Sequence, residues 1–354
     1  MNKTESVAKS IVVDEQANTR YESADNLRFL ATVAVIMVHV SAFSRTSGLN
    51  VDLFYGNISR FCVPVFVMLT GALLLCKSYE LPFFIRSKFV RILLPFIFWS
   101  SIYLAHEMHQ YITEFPDAGI KLLLVHAFEV IRGPNTLAPH LWYIYMIIGL
   151  YLFIPLISKA ARAATNQEIQ FYLLIWFVML FFEFKEFSLF KIDFDLRYFT
   201  GYLGYLILGY YLFNRVNYSF TRLGVLLVIT GLVATGCGTY LLSQREGHFN
   251  HSFYEYLTPN VAVYATGVFL LVQRLSNYQL PKSLLKLRTF VSNHSYGIYL
   301  VHWIILLSFD KFGLNSKSFF PFLSIPLITF LFLSLSGCIV WTIRKIPFGK
   351  YISG

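Results

Sequence analysis

The sequence predicts an all-α membrane protein, a polytopic bundle of about ten transmembrane helices. Of its 354 residues, 56% are apolar and only 14% are charged, whereas soluble domains carry about 25% charged residues. The apolar residues also occur in long blocks, and a helix needs about 20 of them to cross the hydrocarbon core of a bilayer. A soluble chain of this composition would expose large apolar patches, so lipid is the solvent that fits it.

Ten apolar blocks of about the required length follow one another along the chain. They cover residues 27–44, 58–76, 89–106, 141–158, 170–184, 198–213, 223–242, 257–273, 294–310 and 319–343. The blocks at 170–184 and 198–213 are the shortest. The stretch at 120–131 is apolar but too short to cross, and it predicts an interfacial helix.

The distribution of Lys and Arg predicts that both ends of the chain are cytoplasmic. Most of the 29 basic residues fall on the N-terminal segment, on every second loop and at the C-terminus, as the positive-inside rule requires. We expect residues 1–24 to be a disordered cytoplasmic tail, 25–345 the transmembrane domain and 346–354 a cytoplasmic tail. The net charge of +10 then reflects topology, and the basic residues form no aromatic-laced patch for nucleic acid.

Two loops on the predicted outer side are rich in polar residues. The loop at 185–197 is dense in charge, and the loop at 243–256 holds Arg245, Glu246, His248, His251 and Glu255. Such loops have enough polar groups to bind a hydrophilic molecule. Any single charged residue is explained equally well as part of a loop surface that only contacts water.

The first predicted span and the two residues before it carry three ionisable groups, a type that is costly within a membrane and usually functional. Arg28 and His39 are eleven residues apart, so they share a helix face about 16 Å apart along the axis. Asp25 precedes Arg28 by three residues and can pair with it. His39 lies past the middle of the span, where an imidazole can act as a general base on a hydroxyl group. The alternative is a histidine that bonds only to a neighbouring helix.

A second basic pair, Lys88 and Arg91, lies at the inner edge of the third predicted span. The two cations share a helix face and can hold phosphate groups. The alternative is that they are the basic residues that topology demands at this edge.

Four further residues are candidates to bind substrate or support the site: His140 and Trp142 at the outer start of the fourth span, Glu183 near the outer end of the fifth, and His302 in the ninth. Tryptophan at this level is also an ordinary interface anchor. His106 and His109 have a spacing that suits a metal, but no third ligand is evident, so no metal site is expected.

Several motifs together resemble those of the acyltransferase-3 family of integral membrane O-acyltransferases. They are Arg28-x10-His39; Lys88-x-x-Arg91; His140-Leu141-Trp142-Tyr143 with Tyr151 and Pro155; Ser295-Tyr296-Gly297-Ile298-Tyr299 with His302; and the stretch Arg60 to Phe66 with Thr70-Gly71. The resemblance covers nearly all of the chain after residue 24 and is strongest to stand-alone surface-polysaccharide O-acetyltransferases of the enterobacterial common antigen type. Two positions depart from it: Lys88 stands where Arg is frequent, and Thr70 where Ser is usual.

The resemblance implies ten spans in the cell inner membrane and transfer of a short acyl group, usually acetyl, from cytoplasmic acyl-CoA to a sugar hydroxyl facing outwards. Acetyl-CoA would be a co-substrate, with no permanently bound cofactor and no nucleic-acid partner. Lys88 and Arg91 would hold the CoA phosphates, with less geometric certainty for a lysine than for the planar fork of an arginine. His39 would deprotonate the acceptor or take the acyl group itself. Arg28 would hold Asp25 or contact CoA.

The sequence leaves other functions open. A transporter or flippase for a polysaccharide or glycolipid would need the same polar outer face, but would give no reason for the spacing of Arg28 and His39. A structural or sensory membrane protein would not explain the buried histidines. Binding of CoA by the purified protein separates the three.

Overall fold

The computed structural model describes the backbone of residues 3–42, 49–132, 138–184, 201–216, 220–275, 280–315, 318 and 320–354. All regular structure among these residues is helical. The helices are α1 Lys3–Ala42, α2 Leu49–Ser59, α3 Cys62–Leu74, α4 Leu81–Glu114, α5 Ile120–Arg132, α6 Trp142–Ala163, α7 Asn166–Glu183, α8 Tyr202–Asn214, α9 Thr221–Glu246, α10 Pro259–Leu275, α11 Lys282–Lys311 and α12 Pro321–Lys345.

Six segments of the described chain are long and apolar enough to cross a membrane. They are Glu22–Ala42, Leu53–Leu74, Pro139–Ala163, Thr221–Glu246, Ser252–Leu275 and Phe322–Lys345. The second of them contains the break between α2 and α3 at residues 60 and 61. The protein is therefore a multi-pass, all-helical membrane protein.

The other four predicted spans fall on α4, α7, α8 and α11, so helix is confirmed there although ten spans remain a prediction. The 13 residues of α8 extend about 20 Å, less than the roughly 30 Å of a hydrocarbon core. The predicted interfacial stretch forms α5, also 13 residues long.

The first helix begins at Lys3, so the structure gives a helical backbone to much of the predicted N-terminal tail. Its cytoplasmic location and the boundary at residue 24 remain predictions. The loop at 185–197, predicted to be rich in outward-facing charge, lies outside the described residues.

Contacts divide the chain into two compact units. The first comprises Met1–Cys76 and Ala161–Asn293, and the second comprises Lys77–Ala160 and His294–Gly354. In the first unit α1 packs against α2, α3 and α10, α9 packs along α10, and α3 packs along α8. In the second unit α4 packs against α5, and the turn at Gly349–Tyr351 packs against both α4 and α12.

Glycines let α3 and α8 approach backbone to backbone. A Cβ atom on Gly71 would overlap the carbonyl group of Leu206, and one on Gly209 would overlap that of Met68. Association of helices in lipid depends on such close packing, because lipid tails are as apolar as the side chains. Gly71 belongs to a sequence motif noted above, and the structure gives it a packing role.

Replacement of Gly71 by alanine is expected to lower the melting temperature of the protein in detergent, because overpacking costs typically about 1–3 kcal/mol. Gly149→Ala on α6 is the matched control, because a Cβ there has nothing within 4 Å. Both changes replace a helical glycine by a better helix former, so propensity acts alike in the two variants. Equal melting temperatures for both would show that α3 and α8 separate without penalty.

Tyrosine hydroxyl groups bond to backbone carbonyl groups of distant segments in both units. In the first unit these are Tyr205 to Tyr256 at 2.6 Å, Tyr254 to Leu53 at 2.9 Å and Tyr264 to Ile58 at 2.7 Å. In the second unit they are Tyr103 to Leu300 at 2.6 Å, Tyr296 to Ile92 at 2.8 Å and Tyr299 to His140. Each bond joins an aromatic side chain in the packed interior to a polar backbone group.

The segment after α12 folds back onto its own unit. The indole of Trp99 donates to the carbonyl of Ile352 at 3.0 Å, and Ser353 is fully buried. Residues 346–354, predicted to be a cytoplasmic tail, therefore pack against the helices, while their cytoplasmic location remains a prediction.

Candidate functional site

Asp25, Arg28 and Ser292 form a closed polar triangle in the first unit. The Arg28 guanidinium lies 3.2 Å from Asp25 Oδ1 and donates to the Ser292 hydroxyl at 3.0 Å, and that hydroxyl donates to Asp25 at 2.6 Å. The pairing of Asp25 with Arg28 predicted from their spacing is thus confirmed. Because Ser292 lies on α11, the triangle fixes α1 against a second helix.

A buried arginine, Arg288, extends this polar contact between α1 and α11. It is 6% exposed and donates to Oδ1 of Asn26 at 3.1 Å. The sequence identified Arg288 only as a topology signal and did not single out Ser292. Arg288 and Ser292 are four residues apart and therefore lie on one face of α11, but the sequence does not show that this face contacts α1.

His39 lies in the last turn of α1 and is half-buried. The helix is continuous from Arg28 to His39, as the predicted shared face requires. Val38, Ser41 and Ala42, in the same turn, line a cavity of about 590 Å³ in the first unit. We call it the Arg60 cavity; its wall also includes Gly56, Arg60, Ser243, Gln244, Gly247, His248, Phe249, His251 and Tyr254. The role of His39 as a base remains a prediction.

The second unit holds a cavity of about 660 Å³ with a strongly basic wall, which we call the basic cavity. Four cationic side chains, Arg86, Arg91, Arg344 and Lys350, line it together with Ser87. None of the lining residues that the structure describes carries a carboxylate side chain. A concave surface of one charge sign concentrates ions of the opposite sign, so this cavity is suited to a polyanion.

Arg344 is held in place by the end of the described chain. Its Nε donates to the Ser353 hydroxyl at 3.3 Å, and an Nη atom donates to the carbonyl of Gly354. Sequence reasoning found Arg91 but identified Arg86, Arg344 and Lys350 only as inner-side charges. They converge because the segment after α12 turns back towards α4, a turn that no hydropathy pattern predicts.

Lys88 lies one helical turn before Arg91 and is half-buried. Burial lowers the pKa of the Lys88 ammonium, and the nearby charges of Arg91 and Lys77 lower it further. Arg91 lines the basic cavity, whereas the described lining does not include Lys88. A bound anion would relieve the repulsion among these cations and favour the charged form of Lys88.

His140 and His302 lie in contact inside the second unit. Both are fully buried, with ring centroids 5.0 Å apart. The rings of Tyr103, Tyr299 and Trp303 surround His140 at centroid distances of 5.4, 5.3 and 5.7 Å. Nδ1 of His302 lies 2.7 Å from the carbonyl oxygen of Tyr299, which orients the imidazole. The sequence selected both histidines but did not predict that they meet.

The remaining candidates lie at helix ends. Trp142 is the first residue of α6 and packs edge-on against Tyr143, with ring centroids 6.3 Å apart. Glu183 is the last residue of α7, and its side chain is exposed. His39 and Glu183 belong to the first unit, and Lys88, Arg91, His140, Trp142 and His302 to the second. Among the described residues, no three His, Cys, Asp or Glu side chains group as metal ligands.

Several apolar helices, buried polar clusters and a basic cavity define a multi-pass membrane protein with polar sites inside its helical units. A family model described as an acyltransferase domain, that of the acyltransferase-3 family, matches residues 21–343. The chain therefore belongs to the acyltransferase-3 family, which supports membrane acyltransferase activity. No curated protein and no solved structure matches the chain.

Proposed function

We propose that this protein is a membrane O-acyltransferase that moves an acetyl or similar short acyl group from acyl-CoA to a sugar hydroxyl. The donor is taken from the cytoplasm, and the acceptor is a cell-surface polysaccharide or its lipid-linked precursor. Its setting is the cell inner membrane, and its closest functional type is the stand-alone surface-polysaccharide O-acetyltransferase of the enterobacterial common antigen type. Family membership supports the acyl transfer.

The basic cavity is the observation that supports acyl-CoA as the donor. Coenzyme A bears a diphosphate and a ribose phosphate, and phosphates are bound by arginine forks and lysine ammonium groups. Arg86, Arg91, Arg344 and Lys350 supply such groups around one cavity. A volume of about 660 Å³ lies within the usual range of small-molecule sites. The thioester end needs no charged partner and would extend from this cavity into the helices.

The proposed chemistry is attack of the acceptor hydroxyl on the thioester carbonyl. His39 accepts the hydroxyl proton as the C–O bond forms, the C–S bond breaks, and the proton passes on to the CoA thiolate. A variant of this route places the acyl group on His39 first. Asp25 and Arg28, with Ser292, hold the helix that carries His39.

Transfer of label tests this function. Membranes that contain the protein are supplied with radiolabelled acetyl-CoA on the cytoplasmic side, and we expect label that mild base releases to accumulate in glycan and glycolipid fractions. Membranes without the protein provide the blank, and succinyl-CoA tests the donor preference. Movement of glycolipid without any dependence on acyl-CoA would instead identify a transporter.

A further inference from the structure

The Arg60 cavity lies in the first unit, where the second candidate span is interrupted. Arg60 occupies the break between α2 and α3, and Gly247, which follows the end of α9 at Glu246, lines the same cavity. Gly247 has φ of 72°, a left-handed conformation that favours glycine and lets the chain fold back over the cavity. The result is a concave site of about 590 Å³ whose described wall contains one arginine.

Aromatic rings hold the Arg60 guanidinium. Its Cζ lies 4.5 Å from the ring centroid of Tyr254 and 5.6 Å from that of Tyr256. The hydroxyl of Tyr254 bonds to Leu53, and Gly56 allows that ring to approach, because a Cβ there would lie 2.9 Å from it. These contacts hold the guanidinium beside the two rings but use none of its N–H groups.

Arg60 lacks an anionic partner among the described residues. Its Nε is buried without a hydrogen-bond acceptor there, and no described carboxylate lies within ion-pair distance of it. Glu246, the last residue of α9, accepts from Asn250 at 2.8 Å and lies 3.6 Å from His248. Buried polar groups in folded proteins almost always have partners, so an unmatched N–H in a cavity wall indicates a site for an external acceptor.

The rest of the wall suits a sugar. Gln244, His248 and His251 offer polar groups, and Phe249 offers an aromatic face beside His251 at a centroid distance of 4.6 Å. Sugar hydroxyl groups can bond to these polar side chains, and the apolar face of a sugar ring can pack on Phe249. His248 and His251 belong to the loop that the sequence predicts to be outside and able to bind a hydrophilic molecule.

We propose that the Arg60 cavity binds an acidic saccharide, with Arg60 paired to the carboxylate or phosphate group of that sugar. The inference rests on the proposed function and gives its acceptor a chemical class: a saccharide that carries an anion close to the hydroxyl that is acylated. Val38, Ser41 and Ala42 of the cavity wall belong to the same helical turn as His39, so a bound sugar lies at the end of α1 that carries the proposed base.

Binding to the full-length protein in lipid nanodiscs tests this site directly. Saturation-transfer NMR titrations compare two pairs of probes: methyl glucuronide with methyl glucoside, and N-acetylglucosamine 1-phosphate with N-acetylglucosamine. We expect at least one acidic probe to bind about tenfold or more tightly than its neutral analogue. Preference in the first pair identifies a carboxylate ligand, and preference in the second identifies a phosphate.

Variants assign the preference to Arg60. Arg60→Gln is expected to remove it, and Arg60→Lys to keep part of it, because lysine retains the charge but not the planar fork. Arg222→Gln is the matched control: Arg222 lies in the first turn of α9, is exposed and is not part of the described cavity wall, and this variant is expected to keep the full preference. Coenzyme A binding, assigned here to the other unit, checks that each variant is folded.

Two results would overturn the inference: equal binding of acidic and neutral probes by the parent, or an unchanged preference in folded Arg60→Gln. The proposed function is judged separately by label from acetyl-CoA. Label transferred to neutral acceptors alone would end the acidic-site inference and leave the acyltransferase standing. Binding of acidic probes through Arg60 without any acyl transfer would end the proposed acyltransferase function and leave the acidic-saccharide site standing.

Discussion

Replacement of both Arg91 and Arg344 by alanine is expected to raise the KM for acetyl-CoA about 10²- to 10⁴-fold. Hydrogen bonds to charged groups contribute roughly 1.5–3 kcal/mol each, and 1.4 kcal/mol is about a factor of ten in affinity. Both residues line the basic cavity, and no described lining residue has an acidic side chain. Initial rates measured in proteoliposomes against acetyl-CoA concentration give the KM.

The donor can be shortened to show that phosphate contacts are responsible. Acetyl-pantetheine has the thioester but no nucleotide phosphates, so the double variant should use it as well as the parent does. Arg222→Ala removes an exposed cation from the start of α9, predicted to lie on the same side of the membrane, and should leave the KM unchanged. If the double variant lost as much activity with acetyl-pantetheine as with acetyl-CoA, its defect would not involve the nucleotide phosphates. The basic cavity would then have no demonstrated part in donor binding.

Replacement of His39 by alanine is expected to lower kcat by about 10²- to 10⁴-fold, the usual contribution of a positioned general base. Binding of CoA should be retained, because the cavity assigned to it belongs to the other unit. The parent should lose activity towards acid pH, since only a neutral imidazole can accept the proton, and a rate that stays flat down to about pH 5 argues against this role.

His109→Ala on α4 is the control for His39, because its side chain is exposed and belongs to neither cavity. This variant should keep the parent kcat. If His39→Ala also transferred label at the parent rate, His39 would have no part in the mechanism, and another group at the acceptor would have to take the proton. Family membership would be unaffected by that outcome.

Local spacing predicted what lies within one helix and little of what meets between helices. The pairing of Asp25 with Arg28 follows from a separation of one turn, and the structure confirms it. The contacts of Ser292 with this pair join residues far apart in the chain, and no periodicity predicts them. The same limit applies to His140 and His302, which the sequence selected singly and the structure places ring to ring.

The sequence contains the charges of both cavities but does not show which of them come together. Arg86, Arg344 and Lys350 have the composition of ordinary inner-side residues, and only the return of the chain after α12 brings them together. In the sequence, Arg60 is one residue of a motif at a span edge. Among the described residues no acceptor reaches its buried Nε, and only three-dimensional packing shows this.

The tyrosine bonds between packed segments bear on how this protein behaves when its lipids are removed. Hydroxyl-to-carbonyl contacts such as those of Tyr103, Tyr264 and Tyr296 are internal to the chain and do not involve lipid. Exchanging a bilayer for detergent alters lateral pressure and the solvation of outward-facing side chains. It does not remove the donor or the acceptor of these internal hydrogen bonds. Each unit therefore keeps these internal hydrogen bonds on solubilisation, which favours retention of its packing in detergent.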